Sequence, residues 1–557
     1  MSPATLSDLP TELLLILFEQ LKADGILNIG LTCCVLNRVA IPHFLERMGM
    51  PNPQKLAVIR PGHAGYADKL TGLMINFALT RIERLVCVLD NQKADDFYYD
   101  RPGPLTRNME RIHHLIGRLS SVGAVSLVFL SVEDKWTLRS DVVAKFFSSF
   151  TEFLELLALK SCTSIQIVHS HPLSIEPSVS FRRGTGTKNS RFRRFSRLLT
   201  HRSSADPVAD VTYTPLKNSP LAIPSQIPSP NTLACSHLQV FDFRMDLLLA
   251  PRLLEWTLAI MKHSPITSLT LSAIEKNRQR EFHEYLFPRI VRLLPGLQDI
   301  KLHFEGNEFL PTILQNLPLF PQLKKVTLAM AKAAKSPLDL NPTMNLHFPQ
   351  LTSFNASLDQ IMYFFNQNIT CPVLTSMGII HTFTPNSEAL SESLAALANH
   401  LSRLHLTPTI SLCLDHIYGC LEFGEPGTPS RTASSHIISR LTLIHPAFSK
   451  NQQELGSQIE NVLAWLSLFP GVKRLTVVIH RHVIDPPAGH ERRQAAIRAA
   501  IIAVYPNIEF INLVQLKDKF HYHWSSARNS LERAIGGIPN VYLSRNKAMD
   551  YFVCCDF

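Results

Sequence analysis

"FPQLKKVTLAM", residues 320–330, joins a proline turn to a strand: an aromatic residue, a proline, then apolar side chains at Leu323, Val326 and Leu328. After the turn the residues alternate apolar and polar, the period of a half-buried strand. The phrase returns as "LPGLQDIKL" (294–302), "FPGVKRLTV" (469–477) and "YPNIEFINL" (505–513). Further strand-like stretches lie at 84–89, 124–130, 238–243, 266–272, 351–357 and 439–444, and between them are candidate helices at 279–294, 451–468 and 490–504. From 266 to 351 the strands start 31, 26 and 28 residues apart.

A strand plus a helix repeated every 20–50 residues points to an α/β solenoid, in which each unit buries its apolar face against the next. The L-x-x-L-x-L cadence of "ITSLTL" (266–271) and "VKRLTV" (472–477) resembles the leucine-rich repeat, although the Asn or Cys expected after the strand is mostly absent. An ordinary α/β domain with a parallel sheet shows the same alternation and stands as the alternative. The cadence divides the chain into a first α/β block (51–171) and a leucine-rich-repeat-like block (236–557). Whether they form one array or two stays open. Residues 172–235, with eight prolines and many Ser/Thr, interrupt the pattern and read as a disordered insertion.

The formal net charge of +10 is concentrated in one segment of that insertion. Residues 181–203 carry eight Lys/Arg and no acid, so +10 less +8 leaves +2 for the rest. A near-neutral body argues against nucleic acid as the partner. The basic run suits nuclear import, an acidic surface, or a soluble basic loop. Ser196 and the Thr214-Pro215, Ser219-Pro220 and Ser229-Pro230 pairs are candidate kinase sites, where phosphates would offset the basic charge. Apolar residues make up 45% of the 557, enough for a sizeable core. Yet no stretch approaches the roughly 20 apolar residues of a membrane span. Ten scattered cysteines without a C-x-x-C pair suit buried free thiols in a reducing compartment, the cytoplasm or nucleus.

"LPTELLLILFEQL" (9–21) puts six apolar residues in a row, Leu13 to Phe18. No Lys or Arg precedes Lys22, so it lacks the basic region of a secretory signal. Pro10 suits a helix's first turn and Glu12 its positive end. "KADG" breaks the helix, and Asp24 would cap a second segment ending near Ile41, because Pro42 follows. A helix apolar all round needs burial on two sides, one of them against a partner or against the chain's own core.

Residues 6–48, "LSDLPTELLLILFEQLKADGILNIGLTCCVLNRVAIPHFLERM", resemble the F-box as found in fungal proteins. Leu9-Pro10, Glu12, the run ending in Phe18 and Leu21, then Leu27, Leu31, Cys33 and Leu36 to Ala40 carry the likeness. Gly25 replaces a frequent acidic residue, and Gly30 a better helix former. The resemblance implies a three-helix module (1–48) docked on a Skp-type adaptor and, through it, a cullin scaffold. Leu9, Pro10, Leu13, Ile16, Leu17, Phe18, Leu21, Leu27 and Leu31 would divide between adaptor contact and internal core. The chain would then be the substrate-recognition subunit of a cullin ubiquitin ligase, with an unidentified target protein on the body. The alternative is a repeat-type binding scaffold unconnected with ubiquitin.

Nothing in the sequence recommends catalysis. The G-x-S-x-G, G-x-x-x-x-G-K-[ST] and G-x-G-x-x-G motifs are absent, and Cys33 and Cys34 read as core residues of the helical module. The pairs "HSH" (169–171), "HRH" (480–482) and "HYHW" (521–524) lack the further ligands of a zinc site. The expectation is a non-enzymatic protein with no metal or cofactor.

Overall fold

Each proline phrase closes a tight turn with proline at its second position, where a fixed φ is already correct. The N–H of Leu323 donates to Phe320 O at 3.3 Å, Leu297 to Leu294 O at 3.2 Å, Val472 to Phe469 O at 3.2 Å and Ile508 to Tyr505 O at 3.2 Å. A fifth copy, "CPVL" (371–374), makes the same bond at 3.3 Å. The spacing that follows has a simple cause. Leu323, Val326 and Leu328 are all buried, as are Leu297, Ile300 and Leu302, while the residues between them take the opposite face.

The computed structural model describes residues 6–60, 68–90, 104–130, 140–169, 228–244, 248, 251–271, 282–304, 308–330, 344–381, 387–415, 436–445, 462–463, 466, 469–481 and 487–517. Its strands are β1 (Leu56–Ile59), β2 (Arg81–Asp90), β3 (Ser121–Leu130), β4 (Ser164–His169), β5 (Val240–Arg244), β6 (Ser268–Leu271), β7 (Asp299–Phe304) and β8 (Lys325–Met330). Then come β9 (Asn345–His347), β10 (Ser353–Ala356), β11 (Asn368–Thr370), β12 (Ser376–His381), β13 (Thr409–Asp415), β14 (Ile438–His445), β15 (Arg474–Arg481) and β16 (Phe510–Lys517). Fourteen of them form one parallel sheet in chain order, from which only β9 and β11 stand apart as a separate pair.

The chain is therefore α/β with a large parallel sheet, and the sheet is continuous across the basic segment: β4 pairs with β5, Ser164 against Val240. The first and second blocks share one sheet. Most of the 172–235 insertion lies outside the described residues, but its end does not: Pro230–Cys235 is a helix capped by the Ser229 side chain. The insertion's boundary therefore falls before 228. Of the candidate helices, 490–504 lies within Pro487–Val504, 279–294 matches Phe282–Leu286 and Phe287–Leu293, and 451–468 lies mostly outside the described residues.

One face of the sheet packs against helices. Leu85, Val125, Ile165, Phe241, Leu269, Ile300 and Val326 occupy successive register positions, and all are buried. At the turns, backbone bonds run from unit to unit: Lys324 N to Gln298 O, Gln298 N to Thr267 O and Thr267 N to Gln239 O, each 2.8 Å.

At the N-terminus lie α1 (Thr11–Glu19), α2 (Ala23–Gly30) and α3 (Cys34–Arg47). The single segment expected after Asp24 is two helices, with Lys22 rather than Asp24 as the first N-cap. Pro42 does not end the second of them. It sits exposed inside α3, where the hydrogen bond it cannot donate would have gone to the carbonyl of the equally exposed Arg38. Next come α4 (Lys69–Ile75) and α5 (Pro104–Arg118).

Candidate functional site: an outward apolar row on the first helix

α1 is apolar all round, and the structure decides which way each side chain points. Leu14 and Phe18, one turn apart, are buried against α3 and the core. Leu13, Ile16 and Leu17 take the opposite side and are 44–57% exposed, with Leu9, Pro10 and Leu6 exposed just ahead of them. The i, i+3, i+4 spacing makes these three a single stripe. A second exposed apolar pair, Leu31 and Val35, flanks the junction of α2 and α3.

The nine residues expected at the interface divide accordingly. Leu9, Pro10, Leu13, Ile16, Leu17 and Leu31 are open to a partner, whereas Leu21 is half-buried. Phe18 and Leu27 are not available: both are sealed in the chain's own core, and Phe18 packs beside His43. Leu6 and Val35 belong with the exposed set and were missed, although Val35 lies just across the α2–α3 junction from Leu31. Cys34, expected in the core, is exposed, while Cys33 is half-buried.

The row is held rigidly. Arg47 of α3 donates from Nη1 to Leu21 O at 2.7 Å and to Phe18 O at 3.4 Å, which also accepts from Leu21 N, at the end of α1. Asn37 of α3 is buried and donates from Nδ2 to Gly30 O and to Ile75 O, both at 2.9 Å, while its Oδ1 accepts from Phe77 N at 3.2 Å. One side chain thus ties α2 and α3 to the end of α4. Gly72 continues the seam, since a Cβ there would lie 2.7 Å from Phe44 Cε1. Asp68 caps α4 through Thr71 N at 2.7 Å and takes a two-pronged ion pair from Arg111 of α5 at 2.8 and 2.9 Å.

Elsewhere the chemistry is sparse. Cys87, Cys162, Cys371 and Cys413 are buried and in no disulfide; burial pushes Cys162 up to about 12, Cys371 up to about 11, and Cys87 higher still. Such thiols stay protonated and unreactive at neutral pH. Among the described residues no group of three or more His, Cys, Asp or Glu could hold a metal, and no helix is long and apolar enough to cross a membrane. His169 ends β4 and His480 lies in β15; His171, His482 and the pair at 521–523 lie outside the described residues. No protein-family model matches the chain, and no curated protein sequence matches it.

Proposed function

We propose that this chain is the substrate-recognition subunit of a cullin-type ubiquitin ligase in the cytoplasm or nucleus, with residues 6–48 as an F-box and the body as a leucine-rich-repeat-like solenoid. The observation that carries the reading is the outward row of Leu13, Ile16 and Leu17, on a helix whose other side is locked to the core. An apolar stripe held that firmly in water suits a partner's groove. A Skp-type adaptor is the occupant that the sequence resemblance implies. The body would hold a target protein close to the ubiquitin-charged enzyme, and the rate gain would come from proximity rather than from any group on this chain.

Co-purification with a Skp-type adaptor tests this. Ile16→Asp and Leu13→Asp should each abolish adaptor binding while leaving the fold intact, and the Leu9→Ala/Pro10→Ala pair should weaken it. Point changes serve better than deletion of residues 1–48, because Phe44 and Leu45 pack over Gly72 and deletion would bare the start of the body. Adaptor binding unchanged by Ile16→Asp would count against the docking role. Adaptor binding without ubiquitin transfer to captured proteins would favour a repeat-type binding scaffold unconnected with ubiquitin instead.

A further inference from the structure

The two ends of the sheet are finished differently. β1 is an edge strand, yet its inward residues Ala57 and Ile59 are fully buried, in one core with Phe44 and Leu45 of α3. Among the described residues β16 is the edge strand at the other end and bonds only to β15. Along the inward row Ile379, Leu412, Leu441 and Leu475 are at most 1% exposed, whereas Ile511, next in register, is only half-buried. Leu513, the register partner of the buried Val477, is half-buried too. On the same unit Ile502 and Val504 of the helix Pro487–Val504, with Phe510 of β16, are 50–56% exposed. The backbone faces the same way: Phe510 N donates to Lys473 O at 3.2 Å, so by alternation the amides of Ile511 and Leu513 point away from β15. An eight-residue edge over a half-covered core is the end of a repeat array that calls for a cap.

A segment with the right spelling follows directly in the chain. Residues 518–557 lie outside the described residues, but the sequence of 525–544, "SSARNSLERAIGGIPNVYLS", writes the repeating unit once more. Leu531, Ala534 and Ile535 have the i, i+3, i+4 spacing of a helix's apolar face, and Gly536 suits its end. Ile538-Pro539-Asn540 then repeats Tyr505-Pro506-Asn507, with Val541 in the place of Ile508. Pro470, Pro506 and Pro539 are 36 and 33 residues apart, the period of one unit. Ser544 and Asn546 replace Ile511 and Leu513, which suits a capping unit with a neighbour on one side only. Seven residues, 518–524, separate this stretch from β16, against five, 482–486, between β15 and the helix Pro487–Val504.

We propose that residues 525–544 of this chain cover the end of the sheet, as a further helix–turn–strand unit whose strand, 541–544, pairs parallel to β16. That strand takes up the outward N–H groups of Ile511 and Leu513, and the apolar side of its helix closes over Ile502, Ile511 and Leu513. The tether decides the occupant. A segment held seven residues from the edge has a local concentration that is roughly millimolar, which a second copy of the chain would have to outcompete. The proposal rests on the reading of the body as a repeat array and not on the adaptor row.

Amide hydrogen exchange on the full-length chain tests this. The amides of Ile511 and Leu513, and those of Tyr542 and Leu543, should exchange at least about a hundredfold more slowly than in an unstructured chain. Their rates should be the same at low and high protein concentration. Leu531→Asp/Ile535→Asp should speed all four by about tenfold or more, while the amides of Leu412 and Leu441 keep their rates. Leu531→Ala, a gentler change, should move the same four in the same direction. Free exchange at Tyr542 and Leu543 in the unaltered chain would overturn the proposal whatever the variants do. So would protection of Ile511 and Leu513 that survives Leu531→Asp/Ile535→Asp, which points to a different partner. Protection that grows with protein concentration points to a second copy of the chain and overturns it as well. Adaptor co-purification should stay normal in both variants, so a failure here leaves the adaptor reading standing.

Discussion

Replacing Asn37 by alanine would cut one tie between the N-terminal helices and the end of α4. The side chain makes three hydrogen bonds, two at 2.9 Å and one at 3.2 Å, to groups on either side of the junction. At about 1 kcal/mol net for each, the loss comes to roughly 3 kcal/mol. The Gly30 bond is buried, so its carbonyl would be left dry, whereas the bonds to Ile75 and Phe77 lie nearer solvent and water can replace part of them. Those two effects act in opposite directions and keep the estimate near roughly 3 kcal/mol, about a hundredfold in the opening equilibrium of α3. Amide hydrogen exchange on the full chain reads this directly. The amides of α3 should exchange about a hundredfold faster while those of β7 and β8 keep their rates, because the opening is local. Protection of α3 unchanged within about threefold would refute the hydrogen-bond bookkeeping. An equal loss throughout the sheet would refute the local seam.

Other substitutions probe the same surfaces. Leu14→Ala should cost about 2–5 kcal/mol in a denaturant melt, while Ile16→Ala, two residues on but outward, should stay within about 0.5 kcal/mol. Gly25→Ala should stabilise α2 by up to about 1 kcal/mol, since a methyl there meets only ordinary contacts. Gly30→Ala should instead cost about 1–3 kcal/mol, because its Cβ would come within 2.4 Å of Ile41 Cδ1, and Ile41 is itself fully buried. His283 is buried against Phe309, with both ring nitrogens unpartnered, and burial lowers its imidazole from the usual 6.5 to about 3. The folded value lies below the unfolded one, so the native state binds fewer protons: stability is intact above the unfolded value and is lost as pH falls through 6.5 toward 3. Melts between pH 7 and 5 should show a slope of about 1 kcal/mol per unit below pH 6.5 that His283→Phe removes; identical slopes would contradict it.

Where the sequence carried a strong local signal, the fold could be read from it. The proline phrases at 294, 320, 469 and 505 mark turns because proline's fixed φ leaves few alternatives, and all ten strand-like stretches coincide with strands. β1, β9 and β11, three or four residues long, and β12, "SMGIIH" with a glycine inside, escaped notice because so short or interrupted an apolar run does not separate strand from helix, while β4, "SIQIVH", and β13, "TISLCLD", were missed although both alternate. The outward apolar row was legible as a region but not as a face. On a helix where Leu13 to Phe18 are all apolar, periodicity holds no phase, and only packing against α3 decides that Leu14 and Phe18 turn inward.

β4 and β5 are neighbours in the sheet although Gln239 follows Thr163 by 76 residues, and the bond between them, Gln239 N to Thr163 O, is 2.8 Å. Each strand of the large sheet bonds to the sheet strands before and after it in chain order, so a cut between 170 and 227 severs none of the described ladder. Two polypeptides, 1–169 and 228–557, should therefore recognise each other along that single edge and reassemble when co-expressed. Doubling the connecting length costs only about 0.6 kcal/mol of closure entropy. This is the place where the gene can gain, lose or split coding sequence while the folded surfaces on both sides stay as they are.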